Sequence, residues 1–173
     1  DSTKEVQAEK PEGTSALPEL KTNIIGIGGK PKAGKDLLID FLQERYSGIE
    51  RATFSDYARE EINWAMNERD INHYITLENK SFYRPILQEW CAGRREEYGP
   101  TYFNRFMSTD IDRADPKGLL MITGLRDPAE FDVITEKGGY LWRVVRPDNS
   151  FSSDHIVENS ADDIIVDREV LNP

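Results

Sequence analysis

Apolar and polar residues follow one another in blocks along this chain, and the blocks predict alternating strands and helices. Ile24, Ile25 and Ile27 form a short β-branched run that stops at glycines, which predicts a buried strand. In the following stretch, DLLIDFLQERY, apolar residues recur at positions 37, 38, 41 and 42, which is the spacing of one helical face. The ordered part of the chain is therefore expected to open with a strand, a glycine-rich turn and a helix.

The remaining blocks extend this alternation to the C-terminal part of the chain. RATFS predicts a second short strand, and residues 56–69 and 82–114 predict helices with a break at Gly99 and Pro100. GLLMITG and YLWRVV predict further strands, PAEFDVITEKGG predicts a helix that closes on glycine, and DDIIV predicts the last strand. Near-continuous apolar strands between helices predict an α/β fold, a three-layer sandwich with a mainly parallel sheet and helices on both faces.

Length and composition narrow the class of protein. A chain of 173 residues predicts one domain, which we place at residues 22–173, after a polar leader at 1–21 whose composition predicts disorder. Cys91 is the single cysteine, so an internal disulfide is excluded and a reducing compartment, the cytoplasm, is expected. No apolar run approaches the roughly 20 residues of a membrane span. The net charge of −10 argues against broad duplex binding, but a local Arg and Lys cluster could still hold a small anion.

The turn after the first predicted strand carries a phosphate-binding pattern. In GIGGKPKAGKD, the residues Gly29, Gly34 and Lys35 match the loop G-x-x-x-x-G-K between a strand and a helix. Glycines let the backbone wrap closely around a phosphate, and the N–H groups of the helix start point at it. Lys35 is expected to reach the β- and γ-phosphates. The rest of the expected cradle is Lys30, Lys32 and Ala33. The alternative is a structural glycine turn with solvated lysines.

Asp36 stands where this loop usually carries a hydroxyl residue that holds the metal. A carboxylate in the first turn of a helix is favourable by itself, by roughly 0.3–1 kcal/mol. Beside a triphosphate it would be repelled unless a cation lay between them, and Mg²⁺ prefers carboxylate, phosphate and water oxygens. We therefore expect Asp36 to anchor Mg²⁺ when a nucleotide is bound.

Three further charged residues follow predicted strands. Ligands of parallel α/β sheets bind beyond the carboxyl ends of the strands, where Asp56, Arg126 and Arg146 are expected. Phosphoryl transfer requires positive groups around the moving phosphate, so Arg126 and Arg146 are candidates for that role. The alternative for Arg126 is an ion pair with an acid such as Glu130.

A polar stripe crosses the helix predicted from residue 82. Arg84, Gln88, Cys91 and Arg95 are spaced i, i+4, i+7 and i+11, which places them on one helical face. Guanidinium groups bind phosphate through two parallel hydrogen bonds, and an amide can read the edge of a base. The stripe therefore suits an anionic ligand that carries a base. The alternative is an ordinary solvated face.

The loop GKD and several later segments resemble the deoxynucleoside monophosphate kinases of bacteriophages and their relatives. The resemblance runs from about residue 23 to the C-terminus. The segments that carry it are FSDYAREEI, FYRPILQEWCAGRREEYGPTYFNRFM, MITGLRDPAEFDVITEKGGYLWRVVRP and SDHIVENSADD. One departure is Gly124, where many members of that family have Asp.

The resemblance implies a P-loop NTPase-like fold with a helical acceptor and lid region at about 56–114. It also implies ATP and Mg²⁺ as cofactors, a free deoxynucleoside 5′-monophosphate as substrate, and the cytoplasm of an infected cell if the chain is phage-encoded. A homodimer stays open. The residues expected to act are Lys35, Arg126 and Asp56 in catalysis; Gly29, Lys30, Lys32, Ala33, Gly34, Lys35, Asp36 and Arg146 toward ATP; Arg84, Gln88 and Arg95 toward the acceptor; and Asp36 toward the metal.

Two other functions compete with this expectation. The first is a kinase that phosphorylates a hydroxyl on a modified base of phage DNA, such as 5-hydroxymethyluracil, with Asp56 as the general base that a hydroxyl acceptor needs. The second is a non-catalytic nucleotide-binding module, which the absence of an acidic residue after LLMIT favours.

Overall fold

The computed structural model describes residues 22–69, 74–76, 78–147 and 164–172. The expected leader at 1–21 and the segment SDHIVENSADD lie outside the described residues. Strands and helices follow one another along the described chain. In order they are β1 (Ile24–Gly28), α1 (Lys35–Arg45), β2 (Ile49–Thr53), α2 (Phe54–Asn67), α3 (Arg84–Tyr98), α4 (Asn104–Arg113), β3 (Leu119–Thr123), α5 (Pro128–Glu136), β4 (Tyr140–Val145) and β5 (Arg168–Leu171).

The described strands form one sheet in the order β2-β3-β1-β4-β5. Every neighbouring pair is parallel, with Gly26 of β1 opposite Ile122 of β3 on one side and Leu141 of β4 on the other. Because all strands run the same way, their carboxyl ends share one edge of the sheet. The predicted α/β class with a parallel sheet is confirmed.

Alternate residues of the strands supply two separate hydrophobic cores. On one face Ile24 of β1 and Ile122 of β3 pack with apolar side chains of α2, α3, α4 and α5. On the other face Ile25, Ile27 and Met121 pack against Ile39 of α1. A strand that is buried on both sides must be apolar at every position, which is the pattern of β1 and β3. Helices therefore cover both faces, as the three-layer prediction requires.

Two details of the sequence prediction are wrong. Leu37 and Phe41 do not face the core, since they are 62% and 46% exposed, while Ile39 is fully buried. The Arg45 guanidinium lies 3.6 Å from the centre of the Phe41 ring, which explains an aromatic residue on the outer face. The last strand is β5 rather than DDIIV. β5 is a mostly exposed edge strand, so it lacks the apolar signal by which the other strands were predicted.

Within the described ranges, no helix has both the length and the apolar composition that crossing a bilayer requires.

Candidate functional site

The loop after β1 is packed so closely that two of its positions admit only glycine. A Cβ atom on Gly29, where φ is 126°, would overlap the carbonyl oxygen of Val144. A Cβ atom on Gly34, where φ is 97°, would overlap the side-chain amide of Asn172. Lys32 between them also has a positive φ, 62°. Backbone of this kind turns N–H groups toward a common concave side and binds anions, so the loop has the geometry of a phosphate cradle.

The side chain of Lys35 folds back over this loop. Its Nζ donates hydrogen bonds to the carbonyl oxygens of Gly29, at 2.6 Å, and Lys30, at 2.8 Å. Gly34 is the N-cap of α1 and has no side chain to offer the first N–H groups, whereas Asp127 caps α5 through its carboxylate. The start of α1 therefore combines two positive features, the helix N-terminus, which no N-cap side chain covers, and the ammonium group of Lys35. This combination suits the terminal phosphates of a nucleotide.

Asp36, the expected metal anchor, is held by a cation of the protein. It forms an ion pair with Arg51 of β2, and Arg51 also lies 3.8 Å from Asp40. The side chain of Asp36 is 71% exposed, so a cation can reach it from solvent. Among the described residues no group of three or more potential ligands could hold a metal by itself. Mg²⁺ would therefore need phosphate and water oxygens beside Asp36, which is how it commonly binds with nucleotides.

Asp56 lies in the first turn of α2 between two cations. Its Oδ1 is 3.1 Å from Arg59 Nη2 and 3.8 Å from Lys80 Nζ. Lys80 donates a 2.6 Å hydrogen bond to the hydroxyl of Ser55. Burial first, and then the nearby charges of Arg59 and Arg126, lower the pKa of Lys80, while Asp56 opposes this shift. The carboxyl end of β2 is therefore a compact cluster of charges, which we call the Asp56 cluster: Ser55, Asp56, Arg59 and Lys80.

The position of Gly124, after β3, is closed to an acidic side chain. Its φ is 78°, and a Cβ atom there would lie 2.6 Å from Oγ1 of Thr53. The same hydroxyl is 3.0 Å from Oγ of Ser55, so β3 and the Asp56 cluster meet at this point. A carboxylate could enter at 124 only if the backbone and Thr53 both moved. The local packing therefore favours glycine at position 124.

Arg95, which the sequence predicts to bind the acceptor, forms an ion pair with Glu130. Arg95 Nη2 lies 2.6 Å from Glu130 Oε1, and the Glu130 side chain is only 4% exposed. Glu130 Oε2 accepts backbone N–H bonds from Arg126 at 2.7 Å and Asp127 at 3.2 Å. Burial raises the pKa of Glu130, and these donors oppose the shift. Glu130 thus fixes the backbone of Arg126, which makes Arg95 part of the support of that loop.

The other expected residues lie in the first half of α3 and directly after β4. Arg84 is exposed at the start of α3, and Gln88 is half-buried one turn later. Arg146 is exposed directly after β4, two residues beyond the carbonyl that contacts Gly29. Burial raises the pKa of the Cys91 thiol, with Arg95 and Arg126 among the charges acting on it. The far half of α3 therefore approaches Arg126.

Two open clefts flank the helical region. One, of about 410 Å³, opens beside Asp56 and is lined by polar groups and by the rings of Tyr57 and Phe106, which are 5.5 Å apart. The other, of about 570 Å³, runs along the outer side of α3 past Ile86 and Trp90. None of the residues lining the second cleft belongs to the loop or to the Asp56 cluster. The cleft beside Asp56 is lined by Asp56 and by Arg51, whereas Arg59 and Lys80 do not line it.

Several residues of the site carry no sequence signal. Lys80 lies in a turn, Arg51 in an edge strand and Asn172 after the last strand, and none belongs to a recognised spacing. Asn172 donates a 2.9 Å hydrogen bond to the carbonyl of Ala33, which closes the loop from a position 139 residues away. Only Arg59 had a local cue, because it follows Asp56 by three residues on a helix.

Comparison with known proteins does not indicate a function for this site. No family model matches the chain, and no curated protein matches it. Among solved structures, the chain is similar to the crystal structure of TT1252 from Thermus thermophilus, with 15% sequence identity and a TM-score of 0.46. The match covers 88% of this chain and 89% of that one. A likeness of this degree carries no argument about the reaction.

Proposed function

We propose that this protein is a P-loop kinase that transfers the γ-phosphoryl group of ATP to a deoxynucleoside 5′-monophosphate. The observation that carries the proposal is the loop between β1 and α1. Its glycine-only positions, its positive φ angles and the folded-back Lys35 together form a cradle for phosphates at a helix start. The sequence resemblance to phage monophosphate kinases points to the same acceptor.

The proposed reaction needs positioning and charge neutralisation more than proton transfer. An oxygen of the acceptor phosphate attacks the γ-phosphorus, the bond to the β–γ bridging oxygen breaks, and ADP leaves. Lys35 would leave the Gly29 and Lys30 carbonyls and turn to the β- and γ-phosphates. Arg126, held by Glu130 through its backbone, would neutralise charge on the transferred group. Asp36 would hold Mg²⁺ together with phosphate and water oxygens, and the metal would supply further charge neutralisation.

One observation favours the hydroxyl-phosphorylating alternative. Oδ1 of Asp56 is buried and has no hydrogen-bond partner within the described part of the chain, so it could accept from a substrate hydroxyl if the surrounding side chains moved to expose it. Against this, Arg59 and Lys80 lie close to the same carboxylate, and a neutral hydroxyl gives them no counter-charge. A phosphate acceptor would supply that counter-charge. We therefore prefer the monophosphate substrate.

A transfer assay tests the proposal. Labelled ATP and Mg²⁺ are incubated with each common free deoxynucleoside monophosphate and, separately, with DNA containing 5-hydroxymethyluracil. We expect label on a free monophosphate, and a kcat for Lys35→Ala lower by about 10²–10³, the effect of removing one preorganised charge or donor. The matched control is Lys117→Ala, an exposed lysine in the turn before β3, with a rate within about twofold of wild type.

Three other outcomes contradict the proposal. Label on DNA alone would establish the hydroxyl acceptor, and ATP binding without any transfer would establish a binding module. A normal rate in Lys35→Ala would remove Lys35 from the site.

A further inference from the structure

Lys80 occupies a position that its sequence context does not explain. It lies in the turn that precedes α3, yet its ammonium group reaches the first turn of α2 and donates to Ser55. Its side chain is only 29% exposed, although long cationic side chains usually keep their charge in water. Holding a lysine here costs desolvation, and the three oxygens that a phosphate presents are a natural partner for such a group.

The charges around Lys80 do not balance within the cluster. Lys80 and Arg59 share the single carboxylate of Asp56, so the cluster carries one more positive than negative charge. Asp36 acts on Lys80 as well, but it already forms an ion pair with Arg51. In a chain with a net charge of −10, a local positive surplus is unusual. Such a surplus attracts an anion from solution.

Two buried atoms of the same cluster lack partners. Over the residues that the structure describes, neither Asp56 Oδ1 nor Arg59 Nε makes a hydrogen bond. The 3.1 Å contact between Asp56 and Arg59 Nη2 is close enough for an ion pair but does not have hydrogen-bond geometry. A buried polar atom without a hydrogen bond is costly, so each one calls for an explanation, and a ligand that completes its hydrogen bonds is one.

We propose that Lys80 binds the phosphate of the acceptor, a phosphate monoester, with Arg59 as a second donor beside it. The inference rests on the proposed function and deepens it by naming the residue that holds the acceptor phosphate. The charges of Asp56 and, more weakly, of Asp36 in the first turn after the loop both act on Lys80. An acceptor phosphate on its ammonium group would therefore lie within electrostatic range of the loop. The Ser55 hydroxyl accepts the hydrogen bond of Lys80.

The test compares ligands that differ only in the phosphate. Affinities of the free deoxynucleoside monophosphates and of the matching deoxynucleosides are measured by calorimetry, without ATP, for wild type, Lys80→Ala, Lys80→Arg and the control Lys117→Ala. We expect Lys80→Ala to weaken monophosphate binding by about 10- to 100-fold and to leave nucleoside binding unchanged. Lys80→Arg is expected to restore part of the loss, and the affinity for a fluorescent ATP analogue should stay within about twofold in every variant.

The ATP analogue also reports folding, so a misfolded variant is recognised directly. Monophosphate affinity in Lys80→Ala that equals the wild-type value overturns the inference, and so does a wild type that binds nucleoside and monophosphate equally. The proposed function can fail separately. If binding shows the Lys80-dependent preference for the monophosphate but no label is transferred, Lys80 is the phosphate-binding residue and the protein is not a kinase. If Lys80→Ala transfers label with a normal KM for the monophosphate, the protein is a kinase but Lys80 does not bind the acceptor phosphate.

Discussion

Two of the acidic residues of helix α2, Asp56 and Glu61, stand five positions apart, and their surroundings differ completely. Glu61 is surrounded by donors: Oε2 accepts from Trp90 Nε1 at 2.8 Å and from Arg94 Nε at 3.1 Å, and Oε1 accepts from the hydroxyl of Tyr102. These partners lie on α3 and in the turn before α4. One carboxylate thus ties the helices of the region together.

Asp56, one and a half turns earlier, ties nothing together in this way. Its contacts with Arg59 and Lys80 are ionic, and its Oδ1 lacks a hydrogen bond within the described ranges. Both side chains are similarly accessible, 27% exposed for Asp56 and 22% for Glu61. The two carboxylates therefore do not differ in their exposure to solvent. They differ in how many of their hydrogen-bond acceptor positions are occupied.

The difference indicates how one helix serves both stability and binding. A fully satisfied network rigidifies the elements that it joins, and each of its bonds to a charged group contributes to folding. An incompletely satisfied cluster gives up some stability and keeps its bonding capacity for a ligand. On this view the Glu61 end of α2 holds the acceptor region in shape, and the Asp56 end is the part that meets substrate.

The most direct test of this difference is to remove each carboxylate and measure the free energy of unfolding. We expect Glu61→Ala to lower the free energy of unfolding by about 2–4 kcal/mol, because three donors lose their acceptor. Asp56→Ala is expected to cost about 1 kcal/mol or less, since it removes only partly exposed ionic contacts. Urea denaturation measures both. A larger loss for Asp56→Ala would show that its cluster is structural.

Acid should remove the contribution of Glu61 selectively. Burial would raise the pKa of Glu61, but the hydrogen bonds from Tyr102, Trp90 and Arg94 outweigh burial and hold it below the ordinary value of 4.5. A depressed pKa stabilises the fold above the unfolded pKa, and that stabilisation disappears as pH falls through the folded value.

The stability difference between wild type and Glu61→Gln should therefore be constant near neutral pH and shrink below pH 4.5. Glu44→Gln, at an exposed position of α1, is the matched control for the change of an acid to an amide. Thermal unfolding at a series of pH values measures it. A difference that grows on acidification would mean that Glu61 is protonated in the folded protein.

The sequence predicted those features that arise from local chemistry. The apolar run of β1, the glycines of the loop and the lysine at the start of α1 lie within a dozen residues, and each constrains its neighbours directly. The parallel sheet followed from the alternation of apolar strands with helices. Gly124 also had a visible signal, since a glycine follows the apolar strand β3, but its cause, contact with Thr53, required the structure.

The missed features depend on contacts between distant segments. Lys80 meets Ser55 across 25 residues, and Arg95 meets Glu130 across 35. The spacing on α3 placed Arg95 on a polar stripe, but it could not show that a buried acid on another helix claims its guanidinium. Tertiary pairing of this kind has no period along the chain, so neither the charge cluster nor its partners could be predicted from the sequence.

A smaller effect is expected at the third carboxylate of the site, Asp36, whose ion pair with Arg51 is exposed at the edge of the sheet. Removal of Arg51 should change stability by about 0.5 kcal/mol, as for other exposed pairs. If Mg²⁺ and Arg51 compete for Asp36, Arg51→Ala should bind a fluorescent ATP analogue at a Mg²⁺ concentration about two- to fivefold lower than wild type. The matched control is Arg45→Ala, at another exposed arginine near the end of α1, which should leave the required Mg²⁺ concentration unchanged.

The direction of that shift decides what the ion pair does. A lower Mg²⁺ requirement means that Arg51 occupies the carboxylate until the nucleotide arrives, so the pair resembles the Asp56 cluster in reserving its charge for a ligand. A higher requirement means that Arg51 orients Asp36 for the metal or touches phosphate itself, so the pair resembles the Glu61 network in being complete already. Unchanged binding would mean that the ion pair with Arg51 does not control the access of Mg²⁺ to Asp36.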